Sequence, residues 1–439
     1  MTNKILEKAI GIKDQLIIDR RALHRIPEFG VSTPKTAAYV TARLNEMGIP
    51  NRHCGIHRPE DREIAVLSGC PDAPDSTGVV GLIGKSGPCF MLRADMDGLP
   101  IKEETGLDYS SENDCGHMCG HDAHAAMLLG AARILKDMEA DLPGQVKLMF
   151  QPGEEMGYGS KTMIEDGLLE NPPVEAAMAL HVWPQMDVGQ LYFSPTVTSG
   201  SMATFYIAIE GKGGHSSEPQ KTIDPVMIAS ELSSALNLII PREVNPDIFA
   251  TLTVGLIKSG TASNIIPGTA EMAISIRTLD PDVYDYLLKR VPEVANGYIT
   301  AWRGKYTLRI HKTPGTVCNA ALSAEMSKYV GEILGQENVC QAPPMKGAED
   351  FAYVSKCVPS FFGFLGAGGT DIVGIEHFQH IGTGVAHETA YADYGNGNRG
   401  QDKMLGHIQE FSEVREILII SSLHTRKLKP AELDGEDEF

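Results

Sequence analysis

The segment from Gly116 to His124 concentrates side chains that bind metal ions. It reads Gly-His-Met-Cys-Gly-His-Asp-Ala-His and contains Cys119, His121 and Asp122 as well as His124. Thiolate, imidazole and carboxylate groups are the usual protein ligands of borderline-soft divalent ions such as zinc. In an extended segment the Cys-x-His spacing sends two donors to the same side, because side chains alternate there. The segment predicts a metal site, and the alternative is a histidine-rich loop capping a helix, with Cys119 a small buried residue.

The residues that follow His124 predict the element that positions this loop. They are strong helix formers with amphipathic spacing, so the loop enters the N-terminus of a helix. The positive end of that helix would favour the thiolate form of Cys119.

Several predicted strands end directly in side chains that could act as ligands or bases. These are Asp95 and Asp97 after strand 89–94, Glu154 and Glu155 after strand 144–150, and His181 after strand 174–180. In α/β sheets, ligands bind beyond the carboxyl ends of the strands, so we expect these side chains to meet at one edge. Taken singly, Glu154-Glu155 could be a solvated acidic turn and His181 a hydrogen-bonded histidine at a strand end.

Two adjacent carboxylates after a strand suggest two different catalytic roles. One can bind a metal ion while the other takes the proton of a water that the metal polarises. A bound divalent metal lowers the pKa of water from about 15.7 to about 7. The candidate ligands suffice for two ions, and ions roughly 3.5–4 Å apart suit amide hydrolysis.

Composition limits the class of protein. With 439 residues, 42% apolar and 22% charged, the chain is expected to be a soluble protein of two domains. Its formal charge of −19 argues against nucleic acid or an anionic membrane as a partner. No apolar run approaches the ~20 residues that span a bilayer, and Glu7 interrupts any signal-peptide core. The eight cysteines follow no framework pattern, which favours reduced thiols and a cytoplasmic location.

The predicted elements divide the chain into domains. The first part has helices at 3–26 and 33–47, a polar surface loop at 51–77, and a β-hairpin from strands 78–83 and 89–94. From about 202 to 310 the order is strand, helix, strand, strand, helix, strand, which is the ferredoxin-like plan. Helices 322–334 and 406–423 and strand 361–365 then resume the first pattern. The expected fold is α/β, with a catalytic domain of mixed sheet and flanking helices (1–197 and 312–439) interrupted by a ferredoxin-like βαββαβ domain (198–311).

Short motifs along the chain resemble those of a known enzyme family. In order they are His24-x-x-Pro-Glu28, 92–100 (Leu-Arg-Ala-Asp-Met-Asp-Gly-Leu-Pro), 116–124, 150–155 (Phe-Gln-Pro-Gly-Glu-Glu), 180–182, 211–216 (Gly-Lys-Gly-Gly-His-Ser), 263–267, 276–278 and 347–351 (Gly-Ala-Glu-Asp-Phe). The chain resembles the metal-dependent amidohydrolases of the aminoacylase/carboxypeptidase superfamily, in the branch of hippurate hydrolases and indole-acetyl-amino-acid hydrolases.

The resemblance implies a catalytic domain with two divalent metal ions and a lid domain through which the chain forms a homodimer. Zn or Mn is expected, and such ligands also accept Co or Ni. The implied metal ligands are Cys119 (its sulfur shared between the ions), His121, Glu155 and His181, with Glu154 as general base and Asp97 orienting a ligand.

The resemblance also assigns residues of the lid. His215 would stabilise the oxyanion, and Asn264 and Arg277 would bind the free carboxylate of the substrate. A guanidinium group matches a carboxylate with two parallel hydrogen bonds. The alternatives are a surface ion pair for Arg277 and a histidine satisfied within its own glycine-rich loop for His215.

The segment after residue 370 departs from the family pattern. His387 is followed by an aromatic residue four positions on and an acid soon after, so it is expected to be the last metal ligand. His377 and His380 compete for this role. Residues 394–401 also fit the pattern poorly. This departure weakens the expectation of full activity more than the expectation of the fold.

The expected function is hydrolysis of an N-acyl amino acid, or a similar small peptide-like amide, to acid and amine. One alternative is an exopeptidase, a dipeptidase or carboxypeptidase, on the same machinery. The other is a catalytically silent member that binds a ligand or scaffolds a partner. The intact Glu154-Glu155 pair argues against a catalytically inactive member. The altered segment after residue 370 weakly favours one.

Overall fold

The computed structural model describes residues 2–368, apart from 68, 71 and 74. The described chain forms two compact units. The first comprises residues up to 198, residues 316–343 and residues 350–368, and the second comprises 199–315 with 344–349.

Helices and strands follow one another along the described chain. The helices are α1 (Thr2–Gly11), α2 (Lys13–His24), α3 (Pro34–Glu46), α4 (Pro59–Leu67), α5 (His121–Asp137), α6 (Gly159–Glu165), α7 (Pro225–Leu236), α8 (Ile239–Glu243), α9 (Pro281–Ala301), α10 (Ala320–Leu334) and α11 (Ala352–Ser355). The strands are β1 (Asn51–Cys54), β2 (Gly78–Ile83), β3 (Cys89–Asp95), β4 (Gln145–Gln151), β5 (Val174–Trp183), β6 (Leu191–Phe193), β7 (Ser201–Glu210), β8 (Gly214–His215), β9 (Ala250–Ser259), β10 (Ile265–Ile266), β11 (Thr269–Thr278), β12 (Lys305–Thr313), β13 (Val339–Gln341) and β14 (Ser360–Gly366).

The first unit is built on an eight-stranded mixed sheet of order β1-β2-β4-β3-β5-β14-β6-β13. Its four central strands β4, β3, β5 and β14 run parallel, so their carboxyl ends lie at one edge. Every residue of β3 and β14 is buried, which explains their apolar sequences without alternation. Helix α5 packs on these strands, and its alanines and leucines belong to the same core. This sheet and helix position the candidate site.

The predicted hairpin is wrong. Strand β4 lies between β2 and β3, antiparallel to the first and parallel to the second. Glycines permit the close approach that this order needs: a Cβ at Gly144 would lie 2.3 Å from the Pro88 carbonyl oxygen, and one at Gly84 2.5 Å from the Gly144 carbonyl oxygen. The turn glycines therefore admit a third strand instead of closing a hairpin.

Two other local predictions also need correction. The predicted helix 3–26 is two helices, α1 and α2, with the break beside Gly11, a residue of low helix propensity. The predicted surface loop 51–77 contains β1 and α4. Only Asp61 and Ala65 of α4 are buried, so its sequence shows no apolar stripe from which a helix could be predicted.

The second unit contains a four-stranded sheet of order β12-β7-β11-β9, antiparallel throughout. Helices α7 and α9 pack on it and share a buried apolar core with its strands. Both helices begin with an aspartate cap, since Asp224 and Asp280 accept hydrogen bonds from the first-turn amides and a proline follows each. None of the helices in the described ranges has the length and apolar character that crossing a membrane requires.

Lys147 of β4 provides a test of the packing in the first unit. Its buried ammonium donates hydrogen bonds to the carbonyl oxygens of Leu168 (2.8 Å), Glu170 (2.7 Å) and Pro172 (2.8 Å). We expect Lys147→Met to lower the free energy of unfolding by about 2–4 kcal/mol in urea titrations, because buried carbonyls lose a charged donor. Lys136→Met, which removes a partly exposed ion pair with Glu139, should cost less than about 1 kcal/mol. Equal effects of the two changes would contradict this role for Lys147.

Candidate metal centre

The loop before α5 brings its thiol and its imidazole together through Gly120. This residue has φ of 83°, a left-handed conformation that favours glycine. A Cβ at Gly120 would lie 2.6 Å from Cγ2 of Val182 on β5. The glycine thus lets the chain turn close against the sheet, with Cys119 before the turn and His121 opening the helix.

Cys119, His121 and Glu155 form one cluster, with one donor atom of each within 4.8 Å of the others. The Nε2 atom of His121 lies 3.9 Å from Oε1 of Glu155. Both atoms are buried and have no hydrogen-bond partner among the described residues. Buried polar atoms are normally paired, and sulfur, nitrogen and oxygen donors together suit zinc-like ions. The cluster therefore fits a divalent metal ion.

Asp97 orients both sides of this cluster. Its main-chain carbonyl lies 3.0 Å from Nδ1 of His121, so the neutral ring carries its hydrogen on Nδ1 and directs the Nε2 lone pair towards the cluster. Each oxygen of its buried carboxylate accepts a 3.1 Å hydrogen bond, one from the amide of Glu154 and one from that of Glu155. A single aspartate thus connects the end of β3, the start of α5 and the loop after β4.

The three histidines of this region differ in what they can bind. His124 Nδ1 lies 2.5 Å from Asp95 Oδ1, and its Nε2 accepts the Val182 amide at 2.9 Å. Both of its ring nitrogens are therefore engaged. His181 donates from Nδ1 to the Val182 carbonyl at 2.7 Å, which leaves its Nε2 available. The His121 and His181 rings lie 5.8 Å apart between centroids, so His181 can join the same metal centre.

The buried acidic groups of the site favour a bound cation. Burial, and then the carboxylates of Glu155 and its neighbours, raise the pKa of the Cys119 thiol well above its usual value. Burial lowers the pKa of His121, but Asp95, Asp97 and Glu155 outweigh it and raise that pKa to about 10. Burial raises the pKa of Glu155 to about 7 against the opposing effect of His121. A divalent cation would supply the positive charge that this buried acidic cluster lacks.

Asp95 was predicted only as a possible ligand or base, and no role was predicted for Arg93, with which it pairs beside the site. Arg93 is fully buried, and its Nη1 lies 2.9 Å from Asp95 Oδ2 while its Nη2 lies 3.2 Å from Asp350 Oδ1. Burial raises the pKa of Asp95, but Arg93, His121 and His124 outweigh it and hold that pKa well below its usual range. An arginine inside an apolar strand is the signal that could have predicted this, since a buried charge needs a partner.

A second buried network holds the first turn of α5 and explains the motif at His24. Asp122 accepts from Arg20 Nε at 3.0 Å and lies 2.8 Å from His24 Nδ1. His24 Nε2 also lies 3.2 Å from Glu103. Burial lowers the pKa of His24, but Asp122 and Glu103 outweigh it and raise that pKa to about 9. The network ties α2 to the residue next to His121.

Two of the residues predicted for the lid lie together in the second unit. His215 is exposed on β8, and its Nδ1 lies 2.7 Å from the Ser217 hydroxyl. The Asn264 carbonyl accepts the Ser216 amide at 3.1 Å. Arg277 lies on a separate sheet, in β11, where it makes no ion pair with a described carboxylate and burial lowers the pKa of its guanidinium. The three late histidines, His377, His380 and His387, lie outside the described residues.

A mixed sheet with sulfur, nitrogen and oxygen donors gathered at its strand ends fits a metal-dependent hydrolase. The chain belongs to peptidase family M20/M25/M40, whose sequence profile matches residues 91–382. The predicted family is thereby confirmed, and with it the class of enzyme.

Named relatives and a solved structure agree with this assignment. An N-acetyl-L-cysteine deacetylase from Bacillus subtilis (strain 168) is 36% identical over 361 residues, which are 82% of each chain. An IAA-amino acid hydrolase from Arabidopsis thaliana is 34% identical over 368 residues, 82% of this chain and 79% of the relative. A Bacillus subtilis structure described as a dinuclear metal-binding peptidase of the M20 family superposes with a TM-score of 0.65 at 25% identity, covering 94% of this chain and 99% of that one.

The metal content of variants tests the cluster. Cys119→Ala should lose at least one metal ion per chain by elemental analysis, because the cluster loses its sulfur donor. Cys357→Ala, which removes an exposed thiol, should keep the wild-type content. Full metal content in Cys119→Ala would remove this residue from the centre.

The same measurement decides among the late histidines. We expect His387→Ala to lose one ion while His377→Ala and His380→Ala keep both. If His387→Ala keeps both ions and one of the other variants loses one, the assignment of the last ligand is wrong.

Proposed function

We propose that the chain is a dinuclear amidohydrolase that cleaves an N-acyl amino acid, or a similar small amide, to acid and amine. The observation that carries this proposal is the placement of two adjacent glutamates beside the Cys119–His121 cluster. The two named relatives support the substrate class, since one is a deacetylase of an N-acetyl amino acid and the other a hydrolase of IAA-amino acids. Two ions are proposed because the related M20 structure is described as dinuclear.

In this proposal Cys119, His121, Glu155 and His181 hold the ions, with His387 as the last ligand and the Cys119 sulfur shared. When bound, the ions would polarise a water molecule and the carbonyl oxygen of the amide. Zn or Mn is the proposed metal, and the donors also accept Co or Ni.

Glu154 is the proposed general base. Its Oε2 lies 3.9 Å from His121 Nε2, so the carboxylate faces the cluster, and 11% of its side chain remains exposed. Glu154 would take a proton from the attacking water and pass it to the leaving nitrogen. Asp97 holds its main chain in place for this transfer.

The base is tested by Glu154→Gln, which keeps the shape of the side chain and removes its proton-accepting oxygen. We expect metal content near that of wild type and turnover lower by about 10²–10⁴-fold. Glu155→Gln, the change at the neighbouring position, should instead lose metal. A Glu154→Gln rate above about a tenth of wild type would show that another group is the base.

The second unit is proposed to be a ferredoxin-like lid, residues 198–311, inserted between catalytic segments 1–197 and 312–439, and to form a homodimer. Its chain order of strand, helix, strand, strand, helix, strand supports this fold, as does its sheet order β12-β7-β11-β9. The main segment of the second unit runs from 199 to 315, which supports domain boundaries near 198 and 311.

Lid residues are proposed to bind the substrate. Arg277 and Asn264 would bind the free carboxylate, and His215 would donate to the oxyanion. The proposal for Arg277 is supported by a half-buried guanidinium that pairs with no described carboxylate.

We expect His215 to act in the active site of the neighbouring subunit. Glu154→Gln and His215→Ala homodimers should each be inactive, since one oxyanion donor is worth about 10²–10³-fold in rate. After subunit exchange, a mixed dimer would contain one site with both an intact base and an intact donor, so activity should return. No recovery despite demonstrated exchange would confine His215 to its own subunit or exclude it from catalysis.

An exopeptidase on the same machinery is the second candidate, because the related M20 structure is described as a peptidase. A panel of N-acyl amino acids against dipeptides separates the two by kcat/KM. Hydrolysis of neither class by the metal-loaded protein would favour a ligand-binding or scaffolding member. A cytoplasmic location is proposed from the eight cysteines, all of which are free.

A further inference from the structure

Residues 57–76, described apart from 68, 71 and 74, pack against the loop that carries the two glutamates. We call them the brace segment, and residues 152–158 the carboxylate loop. Ala65 and Cys70 of the brace segment share a buried apolar cluster with Met156 and Tyr158 of the carboxylate loop. Met156 follows Glu155 directly in the chain. The brace segment therefore contacts the carboxylate loop beside the proposed base and ligand.

One hydrogen bond connects the two parts inside this cluster. Tyr158 is 3% exposed, and its hydroxyl lies 3.2 Å from His57 Nε2 with the two rings stacked at 5.9 Å. His57 Nδ1 lies 2.7 Å from the Ala73 carbonyl, which can only accept, so Nδ1 carries the hydrogen. Burial lowers the pKa of His57 and favours the neutral ring. Its Nε2 is therefore an acceptor, and the Tyr158 hydroxyl donates to it.

The carboxylate loop is short, so a displacement of Tyr158 would also move Glu154 and Glu155. The Gly157 amide donates to the Glu154 carbonyl at 2.7 Å and closes a tight turn. Asp97 holds the amides of Glu154 and Glu155 on one side of this turn, and His57 holds Tyr158 on the other. The loop is thus fixed at two points, through the Asp97 carboxylate and through the Tyr158–His57 hydrogen bond.

The brace segment also holds the helix that follows the carboxylate loop. Lys161 of α6 places Nζ 2.7 Å and 2.8 Å from the two carboxylate oxygens of Asp61. The Ser76 and Thr162 hydroxyls lie 2.8 Å apart. Helix α6 is therefore held to the same segment, which makes the brace a fixed support for the loop.

We propose that His57 and Tyr158 are positioning residues that set the reach of the Glu154 carboxylate. This inference rests on the proposed function, in which Glu154 is the base. Displacing a catalytic group by about 1 Å can cost roughly 10²-fold in rate. Loss of the hydrogen bond should therefore lower turnover more than it lowers affinity for substrate or metal.

Tyr158→Phe keeps the ring in the apolar cluster and removes only the hydroxyl. We expect kcat to fall roughly 10- to 100-fold, with KM and metal content near those of wild type. His57→Leu should give at least as large a loss, because it also removes the hydrogen bond to the Ala73 carbonyl. The double variant should be no slower than His57→Leu, because both lose the bond between Tyr158 and His57. His57→Gln offers a side-chain oxygen as acceptor and an amide N–H for the Ala73 carbonyl, so it should restore most of the rate.

Hydrogen exchange of the carboxylate loop gives a measure that does not depend on activity. In Tyr158→Phe the amides of Glu154 and Glu155 should exchange faster than in wild type. The matched control is Tyr284→Phe, which removes a buried hydroxyl bonded to the Met202 carbonyl at 3.0 Å in the second unit. It should change neither kcat nor exchange in this loop.

Three results would overturn the inference. They are an unchanged kcat in Tyr158→Phe, a loss of rate that follows loss of metal, and additive effects in the double variant. Failure of the proposed function would look different, because wild type would then hydrolyse no member of the amide panel or Glu154→Gln would stay active. The exchange measurement would still decide whether His57 and Tyr158 fix the loop.

Discussion

The carboxylate of Asp97 is the contact on which the site depends. It is completely buried, and a buried carboxylate must be satisfied by donors. Those donors are the main-chain amides of Glu154 and Glu155, while the carbonyl of the same aspartate orients His121. One side chain thus fixes the distance between an imidazole from α5 and two acids from the loop after β4. Main-chain amides donate to both oxygens of Asp97, so Glu155 and Cys119 remain available to hold a metal ion.

Two buried arginines pair with carboxylates that flank the site. Arg93 and Arg20 are both buried, and each pairs with a carboxylate next to a donor residue, Asp95 and Asp122 respectively. Removing one partner of such a pair leaves an uncompensated buried charge, which is far more costly than losing an exposed pair. The guanidinium groups therefore hold the supporting carboxylates rigidly, while the cluster that faces the centre stays acidic.

The sequence predicted the elements whose signals are local. Strand ends could be predicted because apolar runs give way to polar residues, as at Asp95 and Gln151. Helix α5 was predicted to follow His124, but it begins at His121, so His121, Asp122 and His124 lie in the helix and not in the loop before it. The pairing of β2 with β3 was wrong, because partners in a sheet are chosen by contacts distant in the chain and β4 enters between them. The helix α4 was missed because it buries one side through Asp61 and Ala65 alone. The sequence could predict that Arg93, inside an apolar strand, needs a charged partner. It could not identify that partner.

The connections between the two units have a consequence for the order of folding. Strand β6 pairs with β14 and β13, which both follow residues 199–315, the main segment of the second unit, in the chain. The sheet of the first unit therefore remains incomplete while the inserted residues are synthesised. The two junctions are themselves paired, since the Thr198 amide donates to the Thr316 carbonyl at 2.9 Å and Val197 bridges Val317. Once the insert has folded with its ends together, the long loop becomes a short one and the entropy of closing it falls. Folding of the insert would thus lower the entropic cost of adding the last strands to the sheet.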